Sequence, residues 1–377
     1  MNKMRYYDNI LKLLLLFNMN STEILKLFKG DGDSDLWGQE VPRDSLLSIF
    51  FPTSFTMSGG PNLLIDEIER GQHTYPDQCW VCQPCLRYWD IKNVGDPTHL
   101  SFFEMVACSS FLPDGRFTTI KHIVDFLTKK CGIPLSSIYA TVFEGGKVFE
   151  CGPFTRDELG INILQSLGIE SDHIYMVDRS DGFVANESEP IGGYKVELYI
   201  DLTGQACNQC NPSQCNCGRF LELVTHVAYT HSISVVEGVY TITPLENLRM
   251  YATGFGVERL ELVLLEKGKK IQDISRFAQL FQYLNYPETD KIRFIDIITA
   301  LVFLYTDGAG QLSGKNNSER RWVLNKWLRA LGKFDNWEGN ITNIVPRIIE
   351  LYSGRYPELN ASELDKIKRD TNKLVDK

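Results

Sequence analysis

Apolar and polar residues alternate with a period of two through YKVELYID, residues 194–201. Tyr194, Val196, Leu198 and Ile200 fall on one side, and Lys195, Glu197, Tyr199 and Asp201 on the other, as in a half-buried strand. Strand character recurs in SFFEMVAC (101–108), IYATVFEGG (138–146) and RFLELVTHVAYTH (219–231), and SLLSIFFPTSFTMSGGPNLL (45–64) reads as strand, turn and strand. Helical spacing of three and four residues appears in FTTIKHIVDFLTKKCG (117–132), which Gly132 and Pro134 close. It returns after Asp273, in DIITALVFLYTDG (296–308) and RRWVLNKWLRALGKF (320–334). Near the start, Leu13–Phe17 belongs to a predicted amphipathic helix, and GDGDSD (30–35) to a loop. The pattern predicts an α+β protein with a boundary near residue 268: a sheet-bearing domain over 1–267 and an all-α domain over 268–377.

Two arginines stand out from this pattern because neither sits on an ordinary polar face. Arg87 lies in QPCLRYWDIKNVGDPTHLSFFEM (83–105), a strand, a turn-rich loop and a second strand, which predicts a hairpin. Arg259 lies in ATGFGVERL (252–260), where Gly254 and Gly256 permit close backbone approach before Glu258 and Arg259 open a helix. A guanidinium is always charged and offers a planar fork to carboxylate or phosphate oxygens, so the pair suggests a polyphosphate site.

Composition narrows the setting. The 377 residues are 43% hydrophobic and 23% charged, ordinary for a globular protein, and the net charge of −9 argues against a general affinity for nucleic acid. Any nucleic-acid surface must therefore be local, and KNNSERRWVLNKWLRALGK (315–333) sets six basic residues against the single Glu319. The early apolar cluster is too short to span a bilayer and too charged for a signal peptide, so no membrane association is expected. Ten cysteines without such a signal point to the reducing cytoplasm. Cys207, Cys210, Cys215 and Cys217, spaced C-x2-C-x4-C-x-C in a loop rich in Asn, Gly and Pro, predict a structural zinc site. Cys79, Cys82 and Cys85 supply one ligand too few for the same reading.

The two arginine stretches resemble motifs 2 and 3 of the class II aminoacyl-tRNA synthetases, and NVG, TH, SFFEM and TGFGVER resemble the alanyl branch of that family. The resemblance runs from about residue 45 to 370, with PTSFTMSGG similar to the family's motif 1 segment. It implies an antiparallel sheet flanked by helices and followed by a helical acceptor-stem-binding domain. By the same resemblance Arg87 and Arg259 contact the phosphates of ATP, Phe103 stacks on adenine, and Gly254 and Gly256 pack close by. YKVELYID is similar to the family's Ser-Glu-Ile-Phe-Tyr-Asp strand, which puts Glu197 and Asp201 near Mg2+. The cysteine loop resembles one found at this place in some alanyl enzymes.

Departures from the family fall in the amino-acid pocket. In the strand resembling Glu-Ile-Trp-Asn the glutamate remains as Glu222, but Val224 and Thr225 replace Trp and Asn. The aspartate that would bind the substrate ammonium is Ala252, and an aromatic position of the family is Val184. Either Glu222, His226 or Asp181 supplies another partner, or the substrate lacks an amine at that spot or is larger. In the helical domain the family's base-reading asparagine falls on Asn317, next to Arg320 and Arg321, and YPEL at Tyr356 continues the match.

These features imply ATP-dependent activation of an amino acid and its transfer to the acceptor stem of a tRNA. A monomeric, specialised paralogue with an altered pocket, lacking editing and C-terminal modules, is expected. Two alternatives stay open: an enzyme passing a non-standard acid to a carrier protein, peptide or small molecule, and a non-catalytic tRNA-binding regulatory protein.

Overall fold

The structure is a computed structural model and describes residues 21–29, 37–48, 54–59, 76–185, 190–205, 207, 210–215, 217–245, 250–265 and 269–375. The helix predicted around Leu13–Phe17, the GDGDSD loop and parts of 45–64 lie outside the described residues. The chain divides into two compact units: Met1–Pro42 with Gly60–Cys82 and Val106–Lys267, and Arg43–Gly59 with Gln83–Met105 and Gly268–Lys377.

The first unit opens with helix α1 (Ser21–Lys29) and strand β1 (Gln39–Glu40), and carries most of one large sheet. Its strands are β2 (Gln78–Leu86), β3 (Phe102–Ser110), β4 (Ile138–Phe143), β7 (Ile174–Val177), β8 (Phe183–Val184), β9 (Ile191–Asp201), β10 (Phe220–Val236), β11 (Val239–Pro244) and β12 (Met250–Gly256). The order is β1-β2-β3-β12-β10-β9-β4-β7, with β11 on β10 and β8 on β9. The pairs β10–β12, β10–β9 and β9–β4 are antiparallel, as expected. β1–β2 and β4–β7 run parallel, so the sheet is mixed. A small ribbon of β5 (Gly146–Val148) and β6 (Cys151–Phe154) stands apart.

The alternation in β9 decides which face is covered. Val196, Leu198 and Ile200 are buried with Ile138, Ala140 and Val142 of β4 and with Ile120, Ile123 and Val124 of α2 (Gly115–Asp125), in one apolar core. Burying each Val, Leu or Ile side chain among them stabilises the fold by about 1.5–3 kcal/mol. α2 continues as a single π-turn over Phe126–Lys130, and Gly132 then takes a left-handed conformation (φ 71°) that stops it. Arg116, at the start of α2, forms a buried fork with Asp157, which also caps α3 (Glu158–Ser166) by accepting the Gly160 N–H at 3.0 Å. α4 (Val257–Leu264) follows β12 directly.

The second unit is built on α5 (Glu288–Thr306), with α6 (Ser318–Leu331), α7 (Trp337–Tyr352) and α8 (Leu364–Val375) around it. α5 is buried from Phe294 to Tyr305 without a polar stripe, as befits a central helix. The segments 43–59 and 83–105 group with these helices, and buried polar bonds show why. Asp296 of α5 accepts the N–H groups of Ser101 (2.9 Å) and Phe102 (3.0 Å). Trp327 of α6 donates its indole N–H to the Ser101 hydroxyl (2.9 Å), Glu104 binds Arg276, Arg355 and Tyr356, and Asp307 binds Arg43. Among the described residues no helix is long and apolar enough to cross a membrane.

Candidate active site and nucleic-acid interface

The end of β2 from Gln83 and the start of β3 up to Met105 belong to the second unit and form the predicted hairpin there, with a 3-10 turn over Tyr88–Lys92 in the connection. Arg87 lies just before the turn. Its N–H bonds the Ser101 carbonyl (2.8 Å), its Nε donates to the Met57 carbonyl (3.4 Å), and its guanidinium lies 4.8 Å from the centre of the Phe103 ring. Phe102 turns inward to pack on Phe303 at 4.6 Å, so strand alternation turns Phe103 the other way, where it is half-buried. Below the turn, Asp96 accepts the N–H groups of Thr98 and His99, and Asn93 bonds Asp90, so the loop is internally braced.

In the first unit the face of the sheet opposite that apolar core gathers the polar candidates. Register aligns Ala252 with Val227 and Val227 with Lys195, and likewise Gly254 with Thr225 and Thr225 with Glu197. Val184 pairs with Gly193, two residues before Lys195 on the same face. A bulge between Glu222 and Val224 brings Glu222 opposite Tyr199, onto this face too. Arg259, near the start of α4, donates to the Glu222 carbonyl (2.9 Å) and lies 3.5 Å from its carboxylate. Gly256 has φ −75°, and a methyl group there would meet Arg259 only at 3.8 Å, so nothing within the described chain demands a glycine.

Glu197 bonds Lys195 and Tyr199, each at 2.8 Å. Burial and the neighbouring Glu222 carboxylate hold its pKa above the usual carboxylate range, against the pull of Lys195 and Tyr199. Asp201 differs. Burial acts to raise its pKa, but Arg219 and the amides of Thr203 and Gly204 outweigh it, and the carboxyl is held low. One oxygen takes Arg219 at 2.7 and 2.8 Å, the other takes the two amides at 2.7 and 3.1 Å. A carboxylate has about four acceptor sites. Asp201 therefore pins the β9–β10 connection and has none left for Mg2+. Glu222 is the like charge that Glu197 meets on this face, and each carboxylate has a cationic neighbour, Lys195 for Glu197 and Arg259 for Glu222.

His226 lies on the other face, in register with Val196 and Thr253, away from Thr225 and Ala252. Its Nδ1 is 2.8 Å from the Thr253 hydroxyl, and its buried Nε2 has no partner. Burial, helped by Arg116, pushes its pKa well down, so it is a neutral core residue.

The loop joining β9 to β10 brings the four cysteines together. Cys207 and Cys215 are 3.1 Å apart and Cys210 and Cys217 3.7 Å, with all four sulfurs within 4.8 Å of one another. Tetrahedral zinc with Zn–S of about 2.3 Å needs sulfurs just under 4 Å apart, so the four thiols fit a closed site.

On α6 the expected basic face divides. Arg320 is spent inside the unit, donating to the carbonyls of Ser48 and Ser54. Arg321 bonds the Gly314 carbonyl (3.0 Å), and Asn317, at the helix N-cap, bonds the Ser313 carbonyl (2.9 Å). The next turns carry Lys326 and Arg329, which with Lys333, just past the helix end, line a cavity of about 790 Å³ together with Lys92 and Arg293. The part played by Lys92 and Arg293 was hidden in sequence because they come from two distant segments.

The fold is that of a class II synthetase. The model of the family described as "tRNA synthetases class II (A)" matches residues 55–373, and the chain belongs to that family. Alanine–tRNA ligases are among its curated relatives. That of Treponema denticola is 29% identical over 365 residues, covering 91% of this chain and 57% of that protein. That of Borrelia hermsii is 26% identical over 372 residues (92% and 59%), and that of Endomicrobium trichonymphae 28% over 364 (92% and 38%). The chain thus spans between about a third and three-fifths of the length of the relatives it matches. Among solved structures, an apo histidyl-tRNA synthetase of S. aureus aligns over 73% of this chain and 68% of that one, at 14% identity and a TM-score of 0.38.

Proposed function

We propose that the chain activates an amino acid with ATP and transfers it to tRNA. A carboxylate oxygen of the amino acid attacks the α-phosphorus, the bond to pyrophosphate breaks, and an aminoacyl-adenylate forms. A terminal ribose hydroxyl of tRNA then attacks the carbonyl carbon and AMP leaves. The observation that carries this reading is Arg87 held against the Phe103 ring on one braced hairpin. That pairing offers a charged fork for the α-phosphate and substrate carboxylate beside an apolar face for a base. Arg259, anchored by Glu222, serves the departing polyphosphate. Glu197 and Glu222 would hold Mg2+, which neutralises phosphate charge when bound. Zinc in the cysteine loop would be structural, because four thiolates leave no open position.

The side chain at position 252 favours a substrate other than alanine bound in the usual way. Ala252 is neutral, and the next groups along its register line are Val227 and the cation Lys195. Loss of a buried partner for an ammonium costs on the order of 3–5 kcal/mol. A non-standard acid, passed to a carrier or small molecule, is the second reading this supports. The test is ATP–pyrophosphate exchange with each of the twenty amino acids, with and without bulk tRNA. Exchange with one of them is expected. ATP binding without exchange moves the account to the second reading, and absence of ATP binding overturns both in favour of a tRNA-binding protein without catalysis.

A further inference from the structure

The side chain of Lys195, on the polar face of the sheet in the first unit, is only 14% exposed. Among the described residues its ammonium makes one bond, to a Glu197 oxygen at 2.8 Å. An ammonium carries three N–H donors, so two are left without an acceptor there. A cation drawn this far out of water is costly unless it is paired and its donors are filled. Glu197 answers it only in part. That carboxyl also accepts the Tyr199 hydroxyl at 2.8 Å, and burial with Glu222 beside it holds its pKa above the usual range despite the lysine. Glu222 has a cation of its own in Arg259.

The rest of the Lys195 neighbourhood is small and neutral. Across the strands its line runs to Val227 and Ala252, and two residues back along β9 the same face carries Gly193. At about 4.8 Å per strand, the backbones of Lys195 and Ala252 lie about 10 Å apart with no second charge between them. Ala252, Gly254 and Thr225 are half-buried, so a solute reaches this patch from solvent. An ammonium placed on that line meets a like charge, whereas a carboxylate supplies the acceptors that the lysine lacks. We propose that Lys195 determines specificity on this face and that the substrate is a dicarboxylic acid. One carboxylate is activated by ATP, and the other is held by the Lys195 ammonium. The inference rests on the reading that the chain adenylates an acid, and it names the class of that acid. Aspartate and glutamate share this chemistry with diacids that carry no amine, such as succinate and glutarate.

The test measures binding of aspartate, glutamate, succinate and glutarate to the full chain by titration calorimetry, with a non-hydrolysable ATP analogue present. Each is compared with the partner in which one carboxylate is an amide: asparagine, glutamine, succinamate and glutaramate. At least one diacid should bind about tenfold or more tighter than its amide, the scale of a hydrogen bond between charged groups. Lys195→Met should remove that preference, and Lys195→Arg, which keeps the charge, should retain part of it. The comparison on the wild-type protein stands by itself if Lys195→Met does not fold. Equal binding of diacid and amide, absence of diacid binding, or a preference that survives in folded Lys195→Met overturns the proposal. A preference shown by aspartate or glutamate supports it with an amino acid as substrate, and one confined to succinate or glutarate supports it with an acid that has no amine. Pyrophosphate exchange with the same panel separates the two readings. Exchange with a monocarboxylic amino acid and no diacid bound removes the role of Lys195 and leaves adenylation, whereas Lys195-dependent diacid binding without any exchange does the reverse.

Discussion

Asp296, wholly buried in the middle of α5, holds Ser101 at two points, taking its backbone N–H at 2.9 Å and its hydroxyl at 2.5 Å. Ser101 in turn receives the Trp327 indole N–H and gives its carbonyl to the Arg87 N–H. One carboxyl on the central helix therefore fixes the end of the strand that presents Phe103 and, through Ser101, the position of Arg87. Asp296→Ala would strand two buried N–H groups at about 1–3 kcal/mol each, so a loss of roughly 2–6 kcal/mol is expected by urea unfolding.

The same residue sets a pH dependence. Burial, against its hydrogen bonds, pushes the Asp296 pKa up to about 7, above the ordinary value near 3.9. A raised folded-state pKa means the protonated form is the one the fold prefers. Its stabilisation is fully present below about pH 4 and is lost as pH rises through about 7. Asp296→Asn should flatten that part of the stability profile, measured by denaturant midpoints between pH 4 and 8; an unchanged slope would remove Asp296 as its source.

Arg259→Ala should lower the pyrophosphate exchange rate by about a hundredfold or more, the usual scale for removing a preorganised charge from a developing anion. Its pair with Glu222 is partly exposed at 3.5 Å, so little stability should go with it. Equal rates for variant and wild type would place Arg259 outside the reaction.

Purified protein should carry about one zinc ion per chain, bound by Cys207, Cys210, Cys215 and Cys217. Because the site is closed, chelation should lower the melting temperature while the protein that stays folded keeps its exchange activity. Zinc absent from protein purified without chelator would contradict the assignment.

Ala252→Asp should place a carboxylate on the line of Val227 and Lys195 and raise exchange with alanine relative to wild type. No gain with alanine would mean that the ammonium is held elsewhere on that face, which also carries Glu197 and Glu222.

Much of this was legible in the chain, for reasons that can be named. The alternation in β9 is strict, so Val196, Leu198 and Ile200 declared their core side, and Gly132 ends the α2 segment where a left-handed residue is needed. The faces of β10 were not legible. Counting by twos from Glu222 puts His226 beside it, but the bulge before Val224 moves Thr225 to that face and sends His226 into the core. The engagement of Asp201, placed near Mg2+ by the resemblance, was not legible because its partner, Arg219, follows only after the cysteine loop. Arg320 read as part of a basic face because the carbonyls that hold it, at Ser48 and Ser54, are more than 260 residues away in the chain.

Attack at the α-phosphorus is the central claim, and oxygen transfer tests it most directly. With the amino acid that supports exchange, labelled with 18O in both carboxylate oxygens, and with tRNA and ATP, the AMP released should contain one labelled oxygen per turnover. Label appearing in orthophosphate alongside ADP, or AMP formed without label, would contradict activation through an adenylate.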